Sequence, residues 1–271
     1  MMELFSVKEK VILITGGYGV LGSSMAIALA KAGAKIALLG RTKAKAESLM
    51  ATIKLFGGET IFLQADVLCE ESLNSAKAAL LEAWGTLDVL INAAGGNMPG
   101  AVVTPEQTIF DIKVGDMDSV FALNFKGTLL PTMVFADIMT SKGDGSIINV
   151  SSMAAITPIT RVAGYGAAKA AINNFTAWLS VELCKKFGEG VRVNAIAPGF
   201  FLTEQNRTLL TNPDGTPTER TKDILRSTPY NRLGKPEELH GVIFLLCSEA
   251  SKFMTGTVIP VDGGFSVFSG V

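Results

Sequence analysis

Seven short apolar runs, each set off from the next by a longer stretch of helical period, restrict the fold of this chain more than any other feature. The runs are Val11–Ile14, Ile36–Leu39, Ile61–Leu63, Leu87–Ile91, Ile147–Val150, Val191–Ile196 and Val258–Val261. Between them apolar residues recur at helical spacing, as at Leu21, Met25 and Leu29, with Gly33 placed to close that helix as its C-cap. Thr42 is placed to cap the next helix, which should stop at Gly57-Gly58. Strands that are apolar throughout need cover on both faces. The alternation therefore predicts an α/β fold, a single doubly wound sheet of seven parallel strands with helices on both sides.

No internal repeat, low-complexity tract or linker divides the chain, so one domain over residues 1–271 is expected. Two stretches lack the alternation, about 95–115 and 198–232. The first holds Gly95-Gly-Asn-Met-Pro-Gly-Ala-Val-Val-Thr-Pro105, and the second the turn-rich Thr211-Asn-Pro-Asp-Gly-Thr-Pro217. Both should lie beyond the carboxyl ends of strands, where ligands bind in open α/β sheets. Loops of this length are either lids and binding loops or surface decoration.

Composition narrows the function. With 48% apolar and 18% charged residues the chain is globular, and a net charge of −1 supports neither nucleic acid nor an anionic membrane as partner. The start, Met1-Met-Glu-Leu-Phe, lacks the basic and apolar regions of a signal peptide, and no apolar run is long enough to span a bilayer, so a cytoplasmic protein is expected. Cys69, Cys184 and Cys247 are widely spaced and read as reduced thiols. His240 is the only histidine, which speaks against a zinc site or a Ser-His-Asp triad, and no metal is predicted.

The first run leads into Thr15-Gly16-Gly17-Tyr18-Gly19-Val20-Leu21-Gly22 and then a helix. Pyrophosphate needs backbone that approaches without side chains, together with the free amides and positive end of a helix. Gly17, Gly19 and Gly22 fit Gly-x-Gly-x-x-Gly between strand and helix, so Thr15, Gly16, Gly17, Tyr18, Gly19, Leu21 and Gly22 are candidates for a dinucleotide cradle of Rossmann type. At the end of the second run an acid would bond the ribose of NAD, but the chain has Gly40 followed by Arg41. A guanidinium suits a 2′-phosphate, which favours NADP(H). If Arg41 only starts a helix, NAD(H) remains the cofactor. Asp66, with Val67 beside it, is placed for the adenine, or as a helix cap. Asn92-Ala93-Ala94-Gly95 ends the fourth run, where glycine lets backbone approach the cofactor.

Tyr165 and Lys169, four positions apart, share a helix face in a segment running to about Phe187, and Ser152 lies just past the fifth run. A free tyrosine has a pKa of about 10. The Lys169 ammonium, with an oxidised nicotinamide, would favour the phenolate and lower that value, so Tyr165 could exchange a proton with a carbonyl oxygen that Ser152 polarises. The plain alternative packs Tyr165 in the core and leaves Lys169 solvated.

Taken together, the Thr15-Gly16 turn, Asn92-Ala-Ala-Gly95, Ser152, Tyr165-x-x-x-Lys169 and Pro198-Gly199 resemble the short-chain dehydrogenase/reductase family over essentially the whole chain. The resemblance implies a fourth catalytic residue, Asn124, holding a helix kink and a water linked to the lysine. On sequence grounds alone Asn124 reads as an ordinary helix residue. Likeness also implies that Ile196 and Thr203 border the nicotinamide and its carboxamide, that Pro198 and Gly199 belong to the cofactor site, and that a homotetramer forms on helices around residues 117–140 and 165–187. One departure is Val20, where family members of this length have glycine. The cradle then has Thr-Gly-x-x-Gly-x-x-Gly spacing, and its phosphate contacts are not assigned residue by residue.

Within the family, Ala94-Gly-Gly-Asn97, Ser151-Ser-Met-Ala-Ala155, Pro198-Gly-Phe-Phe-Leu-Thr-Glu-Gln-Asn206, Asn212-Pro-Asp-Gly-Thr-Pro-Thr218 and Val261-Asp-Gly-Gly-Phe265 resemble the D-mannonate oxidoreductase (D-fructuronate reductase) subgroup. That resemblance implies a small-molecule sugar-acid substrate, and hence polar side chains and at least one cation at the mouth. Asn97, Arg161, Gln205, Asn206 and Arg207 are the candidates, with Arg161 and Arg207 alternatively solvated. The apolar tail Phe265–Val271 suggests a subunit contact. Rival readings are a gluconate 5-dehydrogenase, a 3-oxoacyl-carrier-protein reductase, for which no basic docking cluster is visible, and a catalytically silent nucleotide-binding regulator.

Overall fold

The computed structural model describes residues 3–203 and 207–270. Each of the seven apolar runs forms or enters a strand: β1 (Val11–Thr15), β2 (Lys35–Gly40), β3 (Thr60–Gln64), β4 (Val89–Asn92), β5 (Gly145–Val150), β6 (Val191–Pro198) and β7 (Val258–Val261). They make one sheet in the order β3-β2-β1-β4-β5-β6-β7, with every pairing parallel. Because parallel neighbours cannot be joined by a hairpin, helices carry the crossovers. These are α1 (Val20–Lys31), α2 (Glu47–Leu55), α3 (Glu70–Trp84), the paired α4 (Val114–Phe121) and α5 (Gly127–Lys142), α6 (Ala163–Phe187), the short α7 (Arg207–Leu210), α8 (Glu219–Arg226) and α9 (His240–Cys247).

Side chains alternate across each strand and feed two cores. Ile12 and Ile14 of β1 join Met25 and Leu29 of α1 and Ile243 and Leu246 of α9 on one face. Val11 and Leu13 join Leu73 and Leu80 of α3, Phe135 of α5 and Leu179 of α6 on the other. Covering both faces is what makes the strand runs apolar throughout, and the expected doubly wound sheet is the observed one. Strand order reverses between β1 and β4, so the carboxyl ends of those strands flank the crevice in which such sheets bind ligands.

Three local expectations change. Gly33 (φ +89°) and Gly57 (φ +81°) do end α1 and α2 in left-handed backbone. Thr42, however, makes no capping hydrogen bond and heads a short 3-10 turn, Lys43–Lys45, ahead of α2. The helical stretch Val114–Lys142 is long and apolar enough to cross a membrane by composition, contrary to the reading of the runs. Half of its most apolar window is buried in the fold (50%), as in a core helix. Finally, the segments 95–115 and 198–232 are not wholly irregular, since the first carries 3-10 turns at Pro99–Ala101 and Ile109–Asp111 and the second carries α7 and α8.

Candidate active site

The turn between β1 and α1 folds too tightly for side chains. Gly16 has φ +63°, and a Cβ there would lie 2.9 Å from the Ala94 backbone. One on Gly22 would lie 2.9 Å from the Gly16 carbonyl oxygen. Gly19 is the N-cap of α1 and has no side chain to offer the first-turn amides, while its carbonyl accepts the Ser23 N–H at 2.7 Å. Unspent helix-start amides and the positive helix end are what an anionic pyrophosphate requires, so the cradle fits a dinucleotide. Thr15 serves this turn indirectly. Its Oγ1 accepts the amides of Ala93 and Ala94, each at 3.1 Å, and ties the end of β4 to that of β1. Leu21 packs on the core.

At the end of β2, Tyr18 lies across Gly40: a Cβ at Gly40 would sit 2.3 Å from Tyr18 Cε1. Sequence reasoning placed Tyr18 in the turn but did not pair it with Gly40. Arg41, next in the chain, is exposed. Asp66 Oδ1 accepts the Leu68 amide at 2.9 Å and so closes a turn, whereas the N-cap of α3 is Cys69, so Asp66 is not its cap. Val67 is buried beside Gly127, whose added Cβ would meet Val67 Cγ2 at 3.0 Å.

Asn92 is buried in the sheet rather than facing the crevice. Its Nδ2 donates to Thr132 Oγ1 and to Asn149 Oδ1, each at 2.9 Å, and Asn149 Nδ2 donates to Thr176 Oγ1 at 2.9 Å. This buried polar chain joins α5, β4, β5 and α6, the elements that carry the site. Gly95 follows, and a Cβ on it would meet Asn124 Oδ1 at 2.7 Å and Lys169 Nζ at 3.4 Å.

Asn124 is not an ordinary helix residue. It sits fully buried in a π-helical turn, Ala122–Lys126, between α4 and α5. Its Nδ2 donates to the carbonyls of Gly96 (2.7 Å) and Val120 (2.8 Å), and Thr128 Oγ1 donates to its carbonyl at 2.9 Å. Pro131 inside α5 has no N–H to give to the helix, and π-turns and prolines are the usual causes of helix irregularity. A proline in an apolar helical pattern was the available signal.

Ser152 follows β5 in extended backbone and its Oγ accepts the Ala154 amide at 3.1 Å, leaving the hydroxyl proton to donate elsewhere. Tyr165 lies in the first turn of α6, with Lys169 one turn on and its Nζ 5.5 Å from the Tyr165 ring centroid. Lys169 is buried, not solvated, and donates to the Val150 carbonyl at 2.7 Å. Burial brings its pKa down to about 8. Burial also pushes the Tyr165 phenol above its ordinary value, while a hydrogen bond with Ser152 opposes the rise. The expected lowering by Lys169 is therefore absent from the protein alone: desolvation of the phenolate outweighs a neighbour whose bond goes to Val150.

Pro198 ends β6, and Gly199 leaves no room for a side chain because a Cβ would lie 2.6 Å from Asp262 Cα. Ile196 is fully buried in the core. Thr203 lies half-buried beyond β6. Of the substrate candidates, Asn97 accepts the Met98 amide at 3.0 Å, Arg161 has φ +76°, and Arg207 is exposed at the start of α7. Gln205 and Asn206 lie outside the described residues. The tail ring Phe265 stacks edge-on to Phe200 at 5.2 Å, while Val267 is exposed. Among the described residues no cluster of three or more His, Cys, Asp or Glu could hold a metal.

A doubly wound sheet with a glycine cradle and a Ser-Tyr-Lys group past β5 defines a nucleotide-dependent oxidoreductase, and the chain belongs to the short-chain dehydrogenase/reductase family. Residues 19–266 match the model of its branch described as Enoyl-(Acyl carrier protein) reductase. The chain is 46% identical to an uncharacterized oxidoreductase, UxuB, of Bacillus subtilis, covering 97% of this chain and 96% of the relative. Among solved structures it resembles a provisionally assigned D-mannonate oxidoreductase of Haemophilus influenzae with bound NAD, at TM-score 0.91 and 43% identity over 98% of each chain. It also resembles a gluconate 5-dehydrogenase of Burkholderia cenocepacia in complex with NADP and tartrate, at TM-score 0.86 and 27% identity over 98% of each chain.

Proposed function

We propose that this enzyme interconverts a keto sugar acid and its hydroxy acid, with D-fructuronate and D-mannonate as the pair. The observation that carries the chemistry is the Ser152-Tyr165-Lys169 group, in which Ser152 and Lys169 are buried and Tyr165 is half-buried, with Asn124 and Gly95 packed behind it. A nicotinamide held by the glycine turn would supply or accept the hydride. In the direction of reduction, Ser152 turns its hydroxyl proton from Tyr165 to the substrate carbonyl oxygen, as a hydrogen bond that fixes its position. Tyr165, kept protonated at neutral pH by burial, transfers its phenolic proton to that oxygen as charge develops there. Lys169 stabilises the phenolate left behind and would anchor the ribose of the cofactor. Asn124 holds the Gly95-Gly96 turn against Lys169, which keeps this backbone close to the cofactor.

The glycine turn from Gly16 to Gly22 is the proposed pyrophosphate site. The proposed preference is for NADP(H): no acid stands at the end of β2, and Arg41 is exposed there. NAD(H) is the second reading, favoured by the NAD in the Haemophilus relative. Gluconate 5-dehydrogenase is the second substrate reading, favoured by the relative holding NADP and tartrate. A homotetramer is proposed through α5 and α6, where Met133, Trp178 and Val181 are exposed.

Loss of absorbance at 340 nm with purified protein, NADPH or NADH and D-fructuronate tests the reading, with Tyr165→Phe beside the wild type. Turnover by the wild type alone is the expected result. No turnover with either cofactor removes D-fructuronate, and 5-ketogluconate becomes the next substrate to test.

A further inference from the structure

We propose that Arg161 and Arg220 together form the clamp for the substrate carboxylate, one guanidinium coming from the loop after β5 and the other from the segment after β6. The clamp deepens the sugar-acid reading above and rests on it for the identity of the anion.

Arg161 lies between Ser152 and Tyr165 in the chain, on the loop that joins the two proposed reacting groups. Its φ of +76° is a conformation that residues with side chains seldom adopt, and it is held there by the Val103 amide, which donates to the Arg161 carbonyl at 3.0 Å. That bond also fastens the 95–115 segment to the same loop. Arg220 comes from α8, on the opposite side of the mouth in sequence. Its Nη1 reaches Thr160 Oγ1 at 3.3 Å and its Nη2 reaches the Thr160 carbonyl at 3.4 Å, which docks it on the residue next to Arg161.

Among the described residues two cations are thereby gathered with no anion to match. Among the described residues neither Arg161 nor Arg220 has a carboxylate at salt-bridge distance. The one acid that favours the charge of Arg220, Asp223, is paired with Arg226. Burial opposes the charge on Arg220 most, and the charge of Arg161 adds to that. Like charges that are partly desolvated and held together by a strained backbone are relieved by an anion that both can bond. A guanidinium fork matches the two oxygens of a carboxylate, and Thr160 adds a hydroxyl suited to a polyhydroxy acid. The cofactor phosphates have their own cradle at the β1–α1 turn, so the anion assigned to this pair is the substrate's. Sequence reasoning named Arg161 but missed Arg220, because only the fold brings α8 to Thr160.

The test is calorimetric titration of D-mannonate, D-gluconate and tartrate into the NADPH-loaded enzyme, in which a hydroxy acid meets no oxidant, for wild type and for Arg161→Gln and Arg220→Gln. NADPH affinity, read by fluorescence, reports that the variants are folded. Each glutamine variant should weaken sugar-acid binding about 10- to 100-fold, the range for a lost charge-assisted bond, with NADPH affinity unchanged. Should a glutamine variant not fold, Arg161→Lys and Arg220→Lys keep the charge without the fork, and a smaller loss is expected of them. Equal D-mannonate affinity in wild type and variants overturns the clamp. If the wild type binds D-gluconate or tartrate but not D-mannonate, and the variants lose that binding, the clamp stands and the D-mannonate assignment falls. A wild type that binds none of the three overturns the clamp as well.

Discussion

Tyr18 rests on Gly40, closely enough that a side-chain carbon at residue 40 would lie 2.3 Å from Cε1 and 2.7 Å from Oη of the tyrosine. Glycine at the end of β2 therefore makes room for the ring as well as being the absence of an acid. Gly40→Asp should displace Tyr18 and set a carboxylate where the 2′-phosphate is proposed to lie. NADPH binding should weaken at least about tenfold and NADH binding much less, in fluorescence titrations of each. Unchanged NADPH affinity would mean that the end of β2 does not meet the adenosine ribose.

Tyr165→Phe removes the proposed proton donor and keeps the ring. The expected loss in kcat is about 10²- to 10⁴-fold with little change in NADPH affinity. Because burial raises the Tyr165 pKa, the acid form persists through neutral pH. Wild-type reduction should therefore fall only on the alkaline side, and oxidation, which needs the phenolate, should rise there. A flat profile in both directions counts against Tyr165 as the proton carrier.

Lys169 gives a pH dependence of stability with a definite sign. Its folded pKa of about 8 lies below the ordinary lysine value of 10.5, so the unfolded chain binds the proton more tightly. Carrying the charge in the fold costs roughly 3 kcal/mol at neutral pH, from the conversion of a pKa difference to free energy. That cost is relieved as pH rises from about 8 to 10.5. Thermal melts of wild type and Lys169→Met across this window should show the wild type gaining relative to the variant. A constant gap between the two would contradict the burial of a charged ammonium.

Asn124→Ala takes the amide from two carbonyls, those of Gly96 and Val120. Loss of these bonds in a buried turn should destabilise the protein by roughly 1–3 kcal/mol in urea unfolding. The Gly95-Gly96 turn should also loosen, so NADPH affinity and kcat should fall together. A stability loss with intact kinetics would leave Asn124 as a purely structural brace.

The thiols should differ sharply in alkylation. Cys69 is exposed and its pKa is lowered, chiefly by the Ser72 amide, whereas burial pushes Cys247 up to about 12. Timed iodoacetamide labelling read by mass spectrometry should modify Cys69 first and leave Cys247 untouched in the folded protein.

Much of this fold was legible because a parallel strand buried on both faces has no polar alternation, so Val11–Ile14 and Ile147–Val150 stand out as unbroken apolar runs. The runs were read short at several ends: β6 continues to Pro198 and β2 to Gly40, since backbone pairing carries on where side chains turn small. Thr42 does not cap α2 because capping depends on where the helix starts, and a 3-10 turn intervenes. The π-turn at Asn124 was invisible to periodicity, which assumes regular turns.

What the sequence determined by itself were the relations between residues close in the chain. These are the glycine turn entering α1, and the placing of Tyr165 and Lys169 one helical turn apart, which need only local backbone geometry. Tertiary structure alone decided the rest. It laid Tyr18 on Gly40, packed Gly95 between Asn124 and Lys169, and set Arg220 beside Arg161. It also decided the direction in which the Tyr165 pKa moves. Each of these depends on which strands become neighbours and how much water their packing excludes, and both are properties of the assembled sheet.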